Sequence, residues 1–412
     1  MDGQTRVTRR DALRVGGTLL GTSALASGTG RAQQSTETSS SQRTHDNPSG
    51  SLTHEWVSGG RYESGPIAAA NGRIFLIPAG GRAIDVLSLE TGQGQQLITT
   101  EASNLSGLTV ADDILYASHE GGVTAFDTTR GEVWWQRQSG LGEPRYHPLV
   151  LDNWILVPNE QLGVYNAETS EELFVYAGQG SGPLAATTDQ FFWLDRRSIR
   201  AFSVADGSPM WTREIQAEEY YPRPKNIATA NGAVIGGIGH TVAAFEAATG
   251  TQRWVHDLGD EPRSQFVATP EALYVAHGYD NPVLKKLNTS SGEVMWRSRL
   301  PSDDGAGRPT VIGTTVLLMN GNTLIAIDSL SGDVRWERAF GNRLRIGSSP
   351  NDSPITVVGD RLLVQSDDGH VYSFRTEFDP WPQTSEGMGL GALAGLAAVA
   401  GAGLLSRWRG GA

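Results

Sequence analysis

Residues 125–135 read AFDTTRGEVWW, and this stretch decides the fold. An alternating apolar segment leads into Asp127, four residues later comes Gly131, and four after that Trp135. An aspartate can accept backbone hydrogen bonds inside a tight turn, and glycine reaches positive φ without steric cost, so the phrase describes a β-hairpin. The phrase recurs as VLSLETGQGQQ from Val86, VYNAETSEELF from Val164, AFSVADGSPMW from Ala201, AFEAATGTQRW from Ala244, KLNTSSGEVMW from Lys286 and AIDSLSGDVRW from Ala326. A recurrence of roughly 40 residues is the length of a four-stranded propeller blade. Asp127, Asn166, Ser203, Asn288 and Asp328 take the turn-capping position, and Gly92, Gly131, Gly207, Gly250, Gly292 and Gly332 the glycine position.

The aromatic at the end of the phrase has a purpose of its own. Trp135, Phe174, Trp211, Trp254, Trp296 and Trp336 are expected on the outer strands, each packed against the neighbouring blade. Burying one tryptophan removes about 200 Å² from water, worth on the order of 5 kcal/mol as an upper bound.

Upstream of each phrase lies a second hairpin signal, such as ANGRIFLIP from Ala70, ADDILYAS from Ala111 or VGDRLLVQ from Val358. There are eight of these signals and seven complete phrases, so the last blade lacks its outer strand. Trp56, in LTHEWVS, has the reverse problem: an outer-strand tryptophan with nothing before it. An N-terminal strand that completes the C-terminal blade closes the ring and removes two exposed sheet edges. The prediction is an all-β, eight-bladed propeller over residues 51–378.

The phrase Ala-φ-Asp-x-x-x-Gly-x-x-x-Trp resembles the tryptophan-docking repeat of the pyrroloquinoline-quinone (PQQ) β-propeller family, over essentially the whole globular part. The resemblance implies two kinds of activity. Quinoprotein dehydrogenases of that family hold their cofactor in the central channel over a tryptophan floor, with calcium on acidic and amide side chains and, in many, a vicinal disulfide. The non-catalytic branch consists of eight-bladed scaffolds similar to BamB, the outer-membrane assembly factor. With no cysteine the disulfide cannot form here, and the chain of 412 residues is several hundred shorter than those enzymes. Trp134, Trp154 and Trp193 are the tryptophans considered for the channel, with the blade core as their other place. The expectation is no cofactor, with PQQ and calcium as the alternative.

Both termini fall outside the fold. Thr8-Arg9-Arg10-Asp11-Ala12-Leu13-Arg14 and the apolar run behind it resemble a twin-arginine export signal over residues 1–32. Residues 33–50 read as a disordered polar spacer. After a linker at 379–386, residues 387–405 run without a charge. As a helix at 1.5 Å per residue this segment is roughly 28 Å long, enough to span a membrane. The basic tail at 406–412, with Arg407 and Arg409, is expected on the cytoplasmic side, which places the propeller outside the cell. The competing reading of 387–405 is a flexible Gly/Ala tail. The segment resembles the anchors of archaeal surface proteins, although Glu386-Gly387-Met388 departs from their sorting motif.

Net charge −12 opposes nucleic-acid binding. Three lysines (Lys225, Lys285, Lys286) in an acidic chain suit high salt and point to a halophilic archaeon. No HExxH, GxSxG or P-loop occurs, and His119, His240, His277 and His370 lack ligand spacing and fall beside turns, where solvated polar residues are ordinary. The acidic pairs Asp303-Asp304 and Asp367-Asp368 read as turn residues before calcium ligands. Asn104, Asn288 and Asn351 each begin an N-glycosylation sequon.

The connections between blades hold the remaining candidates. Arg61, Arg145, Tyr146, Tyr221, Arg223, Arg263, Arg308, Arg343 and Arg345 lie in them. If they converge they form a basic, partly aromatic rim for an acidic peptide or glycan; otherwise they pair with Glu143, Glu218, Glu219, Asp260 and Glu261. The reading is a non-enzymatic, membrane-anchored cell-surface scaffold with protein partners. Its alternatives are a quinone-dependent extracytoplasmic oxidoreductase and a receptor for an anionic ligand.

Overall fold

Asp127 Oδ1 accepts the backbone N–H groups of Thr129 (2.8 Å) and Arg130 (3.0 Å). Asn166, Asn288 and Asp328 cap their turns through the same two bonds. The glycine of the phrase then takes φ between 67° and 80° in six blades, and Ser170 takes 61° in the blade that lacks it. These turns set the hairpins from which the sheets are built.

The computed structural model describes residues 52–376, apart from 63–66, 101, 103, 121, 139, 141–145, 179–181, 217–223, 260–265, 279–280, 303–305, 341–354 and 367–368. Eight four-stranded antiparallel sheets make up this part. The first seven blades run over 68–99, 107–138, 149–176, 184–214, 224–257, 267–299 and 310–339, each a simple meander. The eighth takes three strands from 355–376 and its outer strand from Leu52–Val57. The closing strand pairs Leu52 with Thr376 and Val57 with Tyr372. Trp56 therefore stands on the outer strand of the last blade, and the fold is an eight-bladed propeller closed by the N-terminal segment.

A one-residue register shift recurs where the third strand meets the fourth. It follows Ala125 opposite Trp135, Ala201 opposite Trp211, Ala244 opposite Trp254 and Ala326 opposite Trp336. The bulge bends the outer strand, and the small alanine leaves room for the ring that it faces. At the composite blade the shift falls at Glu55, with Ser373 facing Trp56. Glu55 is held there by ion pairs to Arg361 and to Arg375 (3.0 Å).

Five docking indoles reach one equivalent atom in the next blade. Nε1 of Trp56, Trp135, Trp211, Trp254 and Trp296 donates to the carbonyl of Leu89, Ala167, Ala247, Thr289 and Ser329, at 2.9–3.1 Å. The acceptor is always the residue after the turn cap. A Cβ on the repeat glycine would stand 2.3–2.8 Å from the preceding blade's ring at Gly92, Gly250, Gly292 and Gly332. The glycine thus serves its own turn and clears a seat for the neighbour's tryptophan. Phe174 covers Gly207 in the same way, and Trp336 lies against the eighth-blade core with Leu52 and Phe374.

The signal 1–32, the spacer 33–50, residues 51 and 377–378 of the expected propeller span, the linker 379–386, the span 387–405 and the tail 406–412 lie outside the described residues. Among the described residues no helix is long and apolar enough to cross a membrane.

Candidate functional site

The connections into each blade lie on the same face as the turns between second and third strands. Tyr62 bridges Pro78, and Ala306 bridges Asn320. The Asn320 side chain holds the same connection by accepting from Ser302 N–H (2.7 Å) and donating to the Ser302 carbonyl (2.8 Å). Ser118 Oγ reaches the carbonyls of Gly107 (3.4 Å) and Tyr146 (3.5 Å). Second strands here end in buried polar groups, among them His119, Asp195, His277 and Asn320.

This corrects the reading of the histidines as solvated turn residues: His119 and His277 are buried. His119 Nε2 meets Thr124 Oγ1 at 3.1 Å and its Nδ1 meets the Glu120 carbonyl at 3.1 Å. Burial pushes its pKa below the usual histidine value. His240 is partly exposed and pairs with Asp257 at 2.8 Å, and His370 Nδ1 meets the Ser58 carbonyl at 3.0 Å.

Of the rim candidates, Arg61 is exposed, and its carbonyl accepts the N–H of Ala79 at 3.1 Å. The neighbouring Tyr62 is buried, and burial together with the Asp85 charge pushes its phenol up to about 12. Tyr146 is partly exposed beside Ser118. Arg308 is not on an exposed rim: its side chain is buried, with 6% of its surface accessible, and burial alone pushes its pKa down to about 10. Arg145, Tyr221, Arg223, Arg263, Arg343 and Arg345 lie outside the described residues, as do Glu143, Glu218, Glu219, Asp260, Glu261 and both acidic pairs. Of the sequons, Asn104 is exposed with its amide on Glu120 (2.8 Å), Asn288 caps a turn, and Asn351 lies outside the described residues.

Arg308 has a neighbour that sequence reasoning passed over. His147 sits two residues after Arg145, in the connection into the third blade. Burial, and then the charge of Arg308, push its pKa down to about 4. Its Nδ1 is buried without a hydrogen-bond partner, although the residue keeps some exposed surface. A Cβ on Gly107 would lie 2.7 Å from that nitrogen, so the glycine is what admits the ring. Blade order offered a signal for the pair: the third and seventh blades are four apart in a ring of eight, and therefore face each other across the axis.

A family profile described as "Outer membrane protein assembly factor BamB" matches residues 3–137, 119–237 and 238–378. The chain belongs to this family. A BamB of Burkholderia pseudomallei (strain K96243) is 23% identical over 338 residues, 77% of this chain and 85% of its own. Among solved structures, BamB from Moraxella catarrhalis superposes with a TM-score of 0.64 at 16% identity, covering 79% of this chain and all of its own. A quinohemoprotein alcohol dehydrogenase from Pseudomonas putida HK5 gives 0.60 at 10% identity, over 81% of this chain and 78% of its own. These likenesses carry the fold.

The quinoprotein likeness raises the question of a cofactor floor. Trp193 is fully buried between strands, with Arg200 5.6 Å over its ring. Trp154 packs edge-on to Phe191 in the blade core, and Trp134 is 43% exposed on an outer strand. Among the described residues no three His, Asp or Glu side chains gather at metal-binding spacing.

Proposed function

We propose that the chain is a non-enzymatic scaffold for protein–protein interaction and assembly. The observation that carries this reading is the BamB-family match in three consecutive spans from residue 3 to 378. A ring in which every blade is docked to the next supplies a stiff platform, and partner recognition falls to the loops on one face. We place the propeller outside the cell, exported by the segment 1–32 and tethered by 387–405, with the connection residues Arg145 and Arg223 as partner contacts.

Native mass spectrometry of the full-length protein, extracted from its own membranes after cross-linking, tests this. The expected spectrum shows a stoichiometric partner chain, lost in a double Arg145→Glu, Arg223→Glu variant whose unfolding midpoint is unchanged. A quinone-sized adduct on an uncross-linked chain would replace the scaffold by the oxidoreductase reading.

A further inference from the structure

The sequons at Asn104 and Asn288 both fall on described residues, and the fold treats them in opposite ways. Asn288-Thr289-Ser290 is committed to a turn and to the joint between the fifth and sixth blades. Asn288 Oδ1 accepts the backbone N–H groups of Ser290 (2.8 Å) and Ser291 (3.1 Å). Thr289 is fully buried; its Oγ1 donates to the Pro270 carbonyl at 2.6 Å, and its own carbonyl accepts the docking indole of Trp254 at 2.9 Å. Ser290 Oγ, the hydroxyl that completes this sequon, accepts Asn231 Nδ2 at 2.7 Å. Asn104-Leu105-Ser106 lies instead in the connection from the first blade to the second, outside any repeat phrase. Leu105 is buried and its N–H donates to the Gly81 carbonyl at 3.0 Å, which anchors the loop from below. Asn104 stands above it, exposed, with φ at 55° and its Nδ2 on the exposed Glu120 at 2.8 Å. An amide nitrogen carries two protons, so this bond leaves the second one for substitution. Ser106 is partly exposed, its Oγ 3.3 Å from Ser118 Oγ.

We propose that Asn104 carries an N-linked glycan and that Asn288 stays bare, because the chain is modified after it has folded. The order of events rests on the placement of the propeller outside the cell: a twin-arginine signal passes folded protein, so the transferase meets the finished ring. In folded protein a sequon serves only where its asparagine and its hydroxyl reach the surface. The donor is a sugar linked through phosphate to a lipid. Asn104 Nδ2 attacks the anomeric carbon, the nitrogen–carbon bond forms and the bond from that carbon to the phosphate oxygen breaks. The lipid phosphate leaves with the electron pair, and the displaced amide proton passes to a base of the transferase. The same transfer at Asn288 would require the turn to open and Ser290 to leave Asn231. A glycan at Asn104 stands beside the turn at Gly81, on the face where the blade connections lie. It covers the sector of the first and second blades and leaves partner docking to the connections that carry Arg145 and Arg223.

Glycopeptide mass spectrometry of the full-length protein from its own cells tests the site, alongside surface proteolysis of the intact cells. A glycan is expected on the peptide that holds Asn104 and none on the peptide that holds Asn288, in a chain that protease reaches from outside. Asn104→Gln and, separately, Ser106→Ala should each abolish the modification while the circular dichroism of the propeller is unchanged. Ser106→Thr keeps a hydroxyl and should keep the glycan. A bare Asn104 overturns the proposal, and proteolysis then tells the two failures apart: a chain cut from outside loses the site alone, whereas a protected chain loses the export reading with it. A glycan on Asn288 as well overturns modification after folding, and a glycan that persists in Ser106→Ala overturns the sequon as its signal.

Discussion

Around the outer strands, five indoles donate to the same carbonyl position of the next blade. On the axial face, equivalent second-strand ends carry His119, Asp195, Ile238, His277 and Asn320. The girdle repeats because each interface there solves one packing problem, the seating of a flat ring over a glycine at positive φ. The axial face varies because each second-strand end answers to its own surroundings: His119 to Thr124 and Glu120, Asp195 to Arg200, Asn320 to Ser302. Repetition holds neighbouring blades together, and departures from it mark where this chain differs from a generic propeller.

The strongest break of this comparison removes a girdle ring. Trp254 is 7% exposed and its Nε1 donates to Thr289 at 2.9 Å. Trp254→Ala should destabilise the propeller by about 3–5 kcal/mol in urea titrations, because it leaves a cavity over Gly292. Trp134→Ala, one residue before a docking position and 43% exposed, should cost about 1 kcal/mol or less. Equal losses for the two would mean that docking does not distinguish them.

The girdle was legible because its information is local. Asp127, Gly131 and Trp135 lie within nine residues and recur at fixed spacing, and the orphaned Trp56 could be assigned to the eighth blade by counting hairpins. The substitutes were harder to read. Ser170 takes a glycine's φ, and Gln96 stands where other blades carry a ring. His147 was not read at all, and Arg308 was read as an exposed rim residue where it is buried. They belong to the connections into opposite blades, and no local spacing records where such connections settle. Burial of His119 and His277 was missed for a related reason: a histidine beside a turn looks solvated until the neighbouring connections close over it.

A smaller effect sharpens the comparison on the axial side. His147 titrates near 6.5 when unfolded and at about 4 when folded. Between those values the unfolded chain binds more protons, so this contribution is complete above pH 6.5 and is lost as the pH falls to about 4. Arg308 is the charged group acting on the ring, while the Gly107 and Ser118 packed around it are neutral. The contribution amounts to roughly 2–3 kcal/mol, since the ring keeps some exposure. His147→Gln should therefore flatten the pH dependence of unfolding in that window relative to wild type. Parallel profiles would place the ring in water.

The smallest expected effect comes from repairing the girdle where it departs from its own rule. Between the first and second blades, Gln96 lies over Gly131 and its Nε2 donates to the Arg130 carbonyl at 3.2 Å. The carbonyl that an indole would seek here, that of Thr128, already accepts Arg73 Nη1 at 2.8 Å. A carbonyl has two lone pairs, and the glycine seat is in place, so Gln96→Trp should dock and raise stability by about 1 kcal/mol in urea titrations. The gain stays below the loss at Trp254 because Arg73 already supplies part of the contact between these blades. If Gln96→Trp destabilises instead, the arginine and the indole compete for one slot. The first interface would then be a different solution to blade docking, not an incomplete copy of the common one.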